Sequence, residues 1–151
     1  MLRSVALPLA ICLSVGVTTV LAHGDATGIV AERMESMKSM ASEMKALAEM
    51  FKAPETFDPE RAVAASEALA SHAGSIPELF PQGSAEPPSD ASEAIWDKWD
   101  AFVSHATDLQ EAALAFGSAA EAGAEPTALK PDFDAMASGC KACHQDFRLP
   151  G

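Results

Sequence analysis

The most constraining feature of this sequence is a cluster of two cysteines and a histidine near its C-terminal end. Cys140 and Cys143 are separated by two residues, and His144 follows directly. On an α-helix these positions (i, i+3 and i+4) share one face, so a flat ligand could contact all three side chains. The C-x-x-C-H pattern is the attachment signature of c-type haem, in which the thiols bond to the porphyrin and the histidine binds the iron. The sequence therefore predicts a helix that carries one covalent haem c.

A C-x-x-C pair can also belong to a zinc half-site, a dithiol redox centre or a structural disulfide. Zinc would need about two further ligands in a matching knuckle, and the sequence has no second cysteine pair. A dithiol centre of the thioredoxin kind would follow a strand in a βαβ unit, whereas no segment of this chain has the pattern of a strand. Haem attachment is therefore the interpretation that we favour.

Residues 1–22 have the pattern of a secretory signal peptide. Arg3 supplies an early positive charge, an apolar run follows, and the small residue Ala22 offers a cleavage site. A permanent membrane anchor is the alternative, because the apolar run is only just long enough to span a bilayer. We expect cleavage after Ala22 and export to the periplasm, without stable insertion in the membrane.

Export would leave residues 23–151 as a single domain. Cys12 would be lost with the signal peptide, so only the two cysteines of the haem motif would remain and no structural disulfide could form. Arg3 is the only charged residue among the first 22, so its removal would change the net charge from −12 to −13. Such an acidic protein is not expected to bind nucleic acid, and it favours protein partners with basic docking surfaces.

Four segments of the remaining chain have helical patterns and predict an all-α fold. The chain lacks tyrosine and is rich in residues that favour helices, above all alanine, leucine, methionine and glutamate. We expect an antiparallel four-helix bundle that holds a covalently bound haem in its core. The predicted helices cover about 27–52, 59–74, 90–122 and 127–147, and a proline-rich loop occupies 75–90.

Local signals refine three of these helices. In the first, apolar residues alternate at spacings of four and three, which predicts the face that packs on the core. The third is expected to start near Asp90, with Glu93 completing a capping box. The fourth is expected to start near Thr127, or as late as Pro131, because a proline fits only the first turn of a helix. The predicted apolar face of the first helix is Val30, Met34, Met37, Ala41, Met44, Ala48 and Phe51.

The sequence resembles the class II cytochromes c, the cytochrome c′ family, over nearly all of residues 27–148. This resemblance implies a four-helix bundle with one haem c, bound through Cys140 and Cys143, with His144 as the proximal iron ligand. Members of this family pair through their first two helices, so a homodimer is possible. The stretches that carry the resemblance are Glu32 to Met37, Leu79 to Pro81, Asp90 to Trp96, and Cys140 to Arg148.

The resemblance also implies further contacts with the haem. The family counterpart of Arg33 meets a haem propionate, and a basic residue at the position of Arg148 lies near the haem edge. Asp90 could contact the haem as well as cap a helix. These three residues are therefore candidate cofactor-binding residues, in addition to the covalent motif.

The identity of the sixth iron ligand separates two possible functions. Met37 lies one turn after Arg33, where five-coordinate relatives have an apolar residue that does not bind iron and low-spin electron carriers have a methionine that does. We therefore expect Met37 to bind iron, with Met34 or Met40 as alternatives if the alignment is shifted by one turn.

The expected function is that of a periplasmic low-spin cytochrome c that carries single electrons to redox protein partners through a His/Met-ligated haem. We do not expect it to be an enzyme, because no distal acid–base pair is evident. The alternative is a five-coordinate cytochrome c′ that binds nitric oxide or carbon monoxide at an open iron position.

Overall fold

The computed structural model describes residues 26–150, so the predicted signal peptide and its cleavage after Ala22 lie outside the described residues. Within this range all regular structure is helical, apart from one isolated β-bridge. Short 3₁₀ turns follow the first two helices, at Pro54–Thr56 and Ile76–Leu79. The α-helices are α1 (Gly28–Lys52), α2 (Pro59–Ser75), α3 (Ala94–Asp97), α4 (Trp99–Glu121) and α5 (Pro126–Phe147).

The four long helices form the predicted all-α, antiparallel four-helix bundle, and this prediction is confirmed. α1 packs on α2, α2 on α4, α4 on α5, and α5 closes the ring against α1. The α2–α4 interface is the most extensive of these, and the α1–α5 interface is the smallest. None of the helices between residues 26 and 150 combines the length and the apolar character needed to cross a membrane. The larger core side chains are Met40, Leu47, Leu69, Ile76, Phe80, Ile95, Phe102, Leu109, Phe116, Leu129, Met136 and Phe147.

Proline and aspartate set the break between α1 and α2, as the sequence predicts. α1 ends at Lys52, because the residue before Pro54 is driven out of the helical region by the proline ring. Asp58 caps α2 by accepting a hydrogen bond from the backbone N–H of Arg61 at 3.1 Å. Pro59 occupies the first helical position, where its missing N–H leaves no helical hydrogen bond unmade.

The predicted starts of the third and fourth helices are wrong by a few residues. The side chains of Asp90 and Glu93 form no capping box; instead, Ser92 Oγ accepts from the backbone N–H of Ala94, where α3 begins. Lys98 leaves the helical region and separates the single turn of α3 from α4. α5 begins at Pro126, one residue before the predicted cap, because a proline fits the first turn of a helix.

The buried face of α1 is also rotated from the predicted one. Met34 is 37% exposed, and Ala41 is exposed as well. An apolar pattern misses this face because two of its positions are polar. Ser36 is buried against α2, where its Oγ lies 3.0 Å from His72 Nδ1. The buried residues of α1 are Arg33, Ser36, Met40 and Leu47.

Candidate haem site

The last turns of α5 carry the cysteine–histidine motif. Cys140 and Cys143 are free thiols, partly buried, and both pack against the apolar core. His144 is more exposed, and its backbone carbonyl accepts a hydrogen bond from the N–H of Arg148 at 3.1 Å, which closes the helix. The helix therefore places two thiols towards the core and the histidine one position further along.

Burial changes the pKa of all three groups. Burial raises the pKa of both thiols, that of Cys143 to about 11, where the charges of Cys140 and Asp146 act in the same direction. Partial burial lowers the pKa of His144, and the charge of Arg148 lowers it further. Two free thiols and a neutral imidazole at this spacing are the groups that hold a covalent, histidine-ligated haem, so the residues present fit this cofactor.

Met37 lies on α1, the helix that closes the ring against α5. Its side chain is partly buried and packs against the core. Of the two alternative methionines, Met40 is a core residue that is 6% exposed, whereas Met34 points partly to solvent. Met37 and the two thiols therefore lie on neighbouring helices, and all three side chains pack against the same apolar core.

Arg33 is almost completely buried and directs all five of its N–H donors at protein acceptors. Nε and Nη2 donate to the carbonyl of Leu79, at 3.1 and 2.9 Å. Nη1 and Nη2 also bind Ser84 through its carbonyl and its hydroxyl, and Nη1 donates to Ser89 Oγ at 2.8 Å. The guanidinium lies 3.9 Å from the centre of the Phe80 ring. Its contact with a propionate stays a prediction, and it would require one of these donors to be shared.

Asp90 and Arg148 are brought together by the structure. Arg148 Nη2 lies 2.9 Å from Asp90 Oδ2, and both side chains are more than half exposed. The backbone pairs as well, since the N–H of Leu149 donates to the carbonyl of Asp90 at 2.8 Å. The haem contacts of Asp90 and Arg148 stay predictions. The partners of Arg33 in the 79–89 loop, Ser84 and Ser89, were not predicted, because serines in a proline-rich loop give no specific signal.

Comparison with known proteins identifies the family. The family model described as Cytochrome C' matches residues 28–148. Cytochrome c′ of Rhodospirillum rubrum is 32% identical over 132 residues, 87% of this chain and 88% of that protein. Cytochrome c-556 of Agrobacterium tumefaciens is 34% identical over 122 residues, 81% of this chain and 98% of that protein. The structure of cytochrome c′ from Rhodopseudomonas palustris superposes with a TM-score of 0.75 at 28% identity, covering 83% of this chain and 98% of that one.

These matches contradict the predicted low-spin electron carrier with a His/Met-ligated haem. The relatives described as cytochromes c′ support the alternative function, a five-coordinate haem open to nitric oxide or carbon monoxide, better than the predicted one, and the comparisons identify no redox partner. The low-spin prediction rested on the family position of Met37, one turn after Arg33, together with its residue type. Methionine also serves as an adaptable apolar filler of irregular gaps, and its partly buried, core-packed position suits that use. By its sequence over residues 28–148 and by its fold, this chain belongs to the cytochrome c′ family, whose members carry one covalently bound c-type haem with iron.

Proposed function

We propose that this chain is a periplasmic haem protein that binds nitric oxide or carbon monoxide at an open iron position and catalyses no reaction. The observation that carries this proposal is the match to the cytochrome c′ family over residues 28–148. One protein of the same fold, a cytochrome c′ mutant from Alcaligenes xylosoxidans, has been described as a nitric oxide complex. The proposal extends this type of ligand to the present chain.

In this proposal Cys140 and Cys143 hold the cofactor and His144 orients it. Each thiol would add across one vinyl group of the haem, with sulfur bonding to one carbon and the thiol hydrogen going to the other. The haem would supply an iron with one open coordination position. His144 would bind this iron as a neutral imidazole, which its lowered pKa favours.

Met37 is proposed to cover the open side without binding to it. A partly buried thioether next to the core is apolar, so it excludes water from the iron while a small diatomic molecule can still enter. Selectivity then follows from size and polarity, since an apolar cover offers no hydrogen bond to a water molecule or to a charged anion.

The remaining predicted residues are proposed to support the rim of the site. Arg33 and Arg148 are the cations that could approach the haem propionates, although the structure already pairs Arg148 with Asp90.

Cleavage after Ala22 and export are proposed from the signal pattern. A homodimer through α1 and α2 is proposed from the family, and the partial exposure of Met34 on α1 is consistent with an apolar contact there.

Visible spectra of the haem-loaded protein, with and without carbon monoxide, test this proposal. We expect a high-spin ferric spectrum and fast binding of carbon monoxide to the ferrous form, because no iron–sulfur bond has to break. Met37→Leu should keep this spin state, since leucine is an apolar cover of similar volume.

Met34→Leu is the matched control, because it makes the same exchange one turn earlier and at a more exposed position. A low-spin ferric spectrum would contradict the proposal. So would slow binding of carbon monoxide that Met37→Leu, and not Met34→Leu, accelerates.

A further inference from the structure

A continuous set of hydrogen bonds joins α1 to the residues that follow His144. Its central group is the hydroxyl of Ser89, which accepts from Arg33 Nη1 at 2.8 Å and from the backbone N–H of Ala91 at 3.1 Å. A serine hydroxyl has two acceptor lone pairs, so both bonds can exist at the same time. Ser89 therefore connects a buried cation on α1 with the backbone of the loop that leads to α3.

The loop is bound on its other side to the C-terminal segment. The N–H of Ser92 donates to the carbonyl of Phe147 at 2.9 Å, and the N–H of Leu149 donates to the carbonyl of Asp90 at 2.8 Å. Between these two bonds Ala91 and Arg148 form an isolated antiparallel bridge. We call this pairing of residues 90–92 with 147–149 the proximal latch, because it begins three residues after His144.

The α1 end of this connection is fixed. Arg33 is 5% exposed, and its guanidinium is held by three residues of the loop as well as by the face of the Phe80 ring. Phe80 is itself buried, and its ring packs edge-on against Phe102 of α4 with a centroid distance of 4.8 Å. A cation that is enclosed in this way cannot move without breaking several charge-assisted bonds, so it provides a rigid attachment point.

We propose that Ser89 is a positioning residue that couples Arg33 to the proximal latch and thereby holds the end of the helix that carries His144. The proposal rests on the proposed function in one respect, namely that His144 is the proximal ligand. Met37 lies one turn beyond Arg33 on α1, so the same bonds link the proposed distal cover to the proximal ligand. A change in the position of α1 would then be transmitted to His144 through the loop.

The chain offers a matched control in Ser84. Its hydroxyl also accepts from the Arg33 guanidinium, at 2.5 Å, and both serines are partly buried in the same loop. Only Ser89, however, binds Ala91 and so reaches the proximal latch. Ser84→Ala and Ser89→Ala therefore each remove one hydroxyl from Arg33, but only Ser89→Ala should disconnect the latch.

Amide hydrogen exchange on the haem-loaded protein tests this coupling. In Ser89→Ala, we expect the N–H groups of Ser92 and Leu149 to exchange about fivefold faster, the effect of losing one hydrogen bond that supports them. Neither amide contacts Ser89 directly, so this change would be transmitted by the loop. In Ser84→Ala their exchange should stay close to the wild-type rate, and Ser89→Thr, which keeps the hydroxyl, should also resemble the wild type.

The iron–histidine stretching band of the ferrous protein gives a second readout, which a general loss of stability would not move. In Ser89→Ala it should shift or broaden, because the orientation of His144 is less fixed. Equal effects of the two alanine variants, unchanged exchange at Ser92 and Leu149, or an unchanged band in Ser89→Ala would each overturn the proposal. If the wild type lacks this band because its iron is six-coordinate, the proposed function fails, while hydrogen exchange still tests the coupling.

Discussion

The α2–α4 side and the α1–α5 side of the bundle are built from different kinds of residue. α2 and α4 approach closely, and their interface consists mainly of small, fully buried side chains such as Ala65, Ala73 and Ala113. On the other side, partly buried methionines, cysteines and phenylalanines border a smaller helix interface. The first interface is complete in the protein alone, whereas we interpret the second as one that the haem completes. Small side chains let α2 and α4 pack closely, whereas the α1–α5 side carries the thiols of the haem motif.

This contrast predicts the largest loss of stability for a core residue of α4. Phe116 is fully buried, so Phe116→Ala should lower the free energy of unfolding by about 3–5 kcal/mol. Both rings lie against Phe51 of α1, with centroid distances of 6.3 Å for Phe116 and 5.0 Å for Phe133, but Phe133 of α5 is only partly buried. Phe133→Ala should therefore cost less. Urea unfolding of the haem-loaded variants measures both values, and equal losses would show that the difference in burial between these two rings does not decide their contributions.

Alanine substitutions at two helical glycines, one on each side of the bundle, should change the stability in opposite directions. A Cβ on Gly117 would lie 2.2 Å from Ser66 Oγ, so Gly117→Ala should force α2 and α4 apart and cost about 1–3 kcal/mol. At Gly139 of α5 no atom lies within 4 Å of the added Cβ. Gly139→Ala should instead stabilise the protein by about 0.5–1 kcal/mol, because alanine favours the helix.

A second substitution tests whether the loss of stability in Gly117→Ala comes from a steric clash or from the backbone. Adding Ser66→Ala removes the clashing hydroxyl, so it should recover part of the stability that Gly117→Ala loses, even though Ser66 Cβ is still 3.3 Å away. Thermal unfolding of the single and double variants gives the coupling directly. Independent, additive effects of the two substitutions would show that the close approach of α2 and α4 does not limit this position.

The features that the sequence predicts well are local ones, and they lie on both sides of the bundle. The bundle, the break at Pro54 and the cap at Asp58 could be predicted, because helix periodicity, proline and N-caps are local signals. The haem motif could be predicted because two cysteines and a histidine at this spacing serve few other purposes. These features depend on residues close together in the chain.

Several of the less accurate predictions depended on contacts between distant residues. Arg33 is buried because a loop about fifty residues away supplies its acceptors, and no local pattern indicates this. Asp90 was expected as a helix cap, yet its partner is Arg148, 58 residues further on. The role of Met37 depends on the family, since a methionine on a helix is equally suited to binding a metal and to filling a gap.

The smallest change in stability is expected when the exposed ion pair at the haem end of the bundle is removed. Both side chains of the Asp90–Arg148 pair are more than half exposed, so solvent screens their attraction. Asp90→Asn should therefore lower the free energy of unfolding by less than about 1 kcal/mol, and the difference should shrink as salt is added. The backbone bond from Leu149 to the carbonyl of Asp90 does not need the carboxylate and should remain.

Asp134→Asn is the control for this last substitution, because Asp134 forms another exposed ion pair on α5, with Lys130. We expect the two variants to show similar, salt-dependent losses in thermal unfolding. A much larger loss for Asp90→Asn that persists at high salt would mean that the ion pair itself, and not the backbone pairing and buried Arg33, holds the loop in place. The stability of the haem side would then depend on an exposed ion pair. The haem side would therefore differ from the apolar α2–α4 side by more than the burial of the residues indicates.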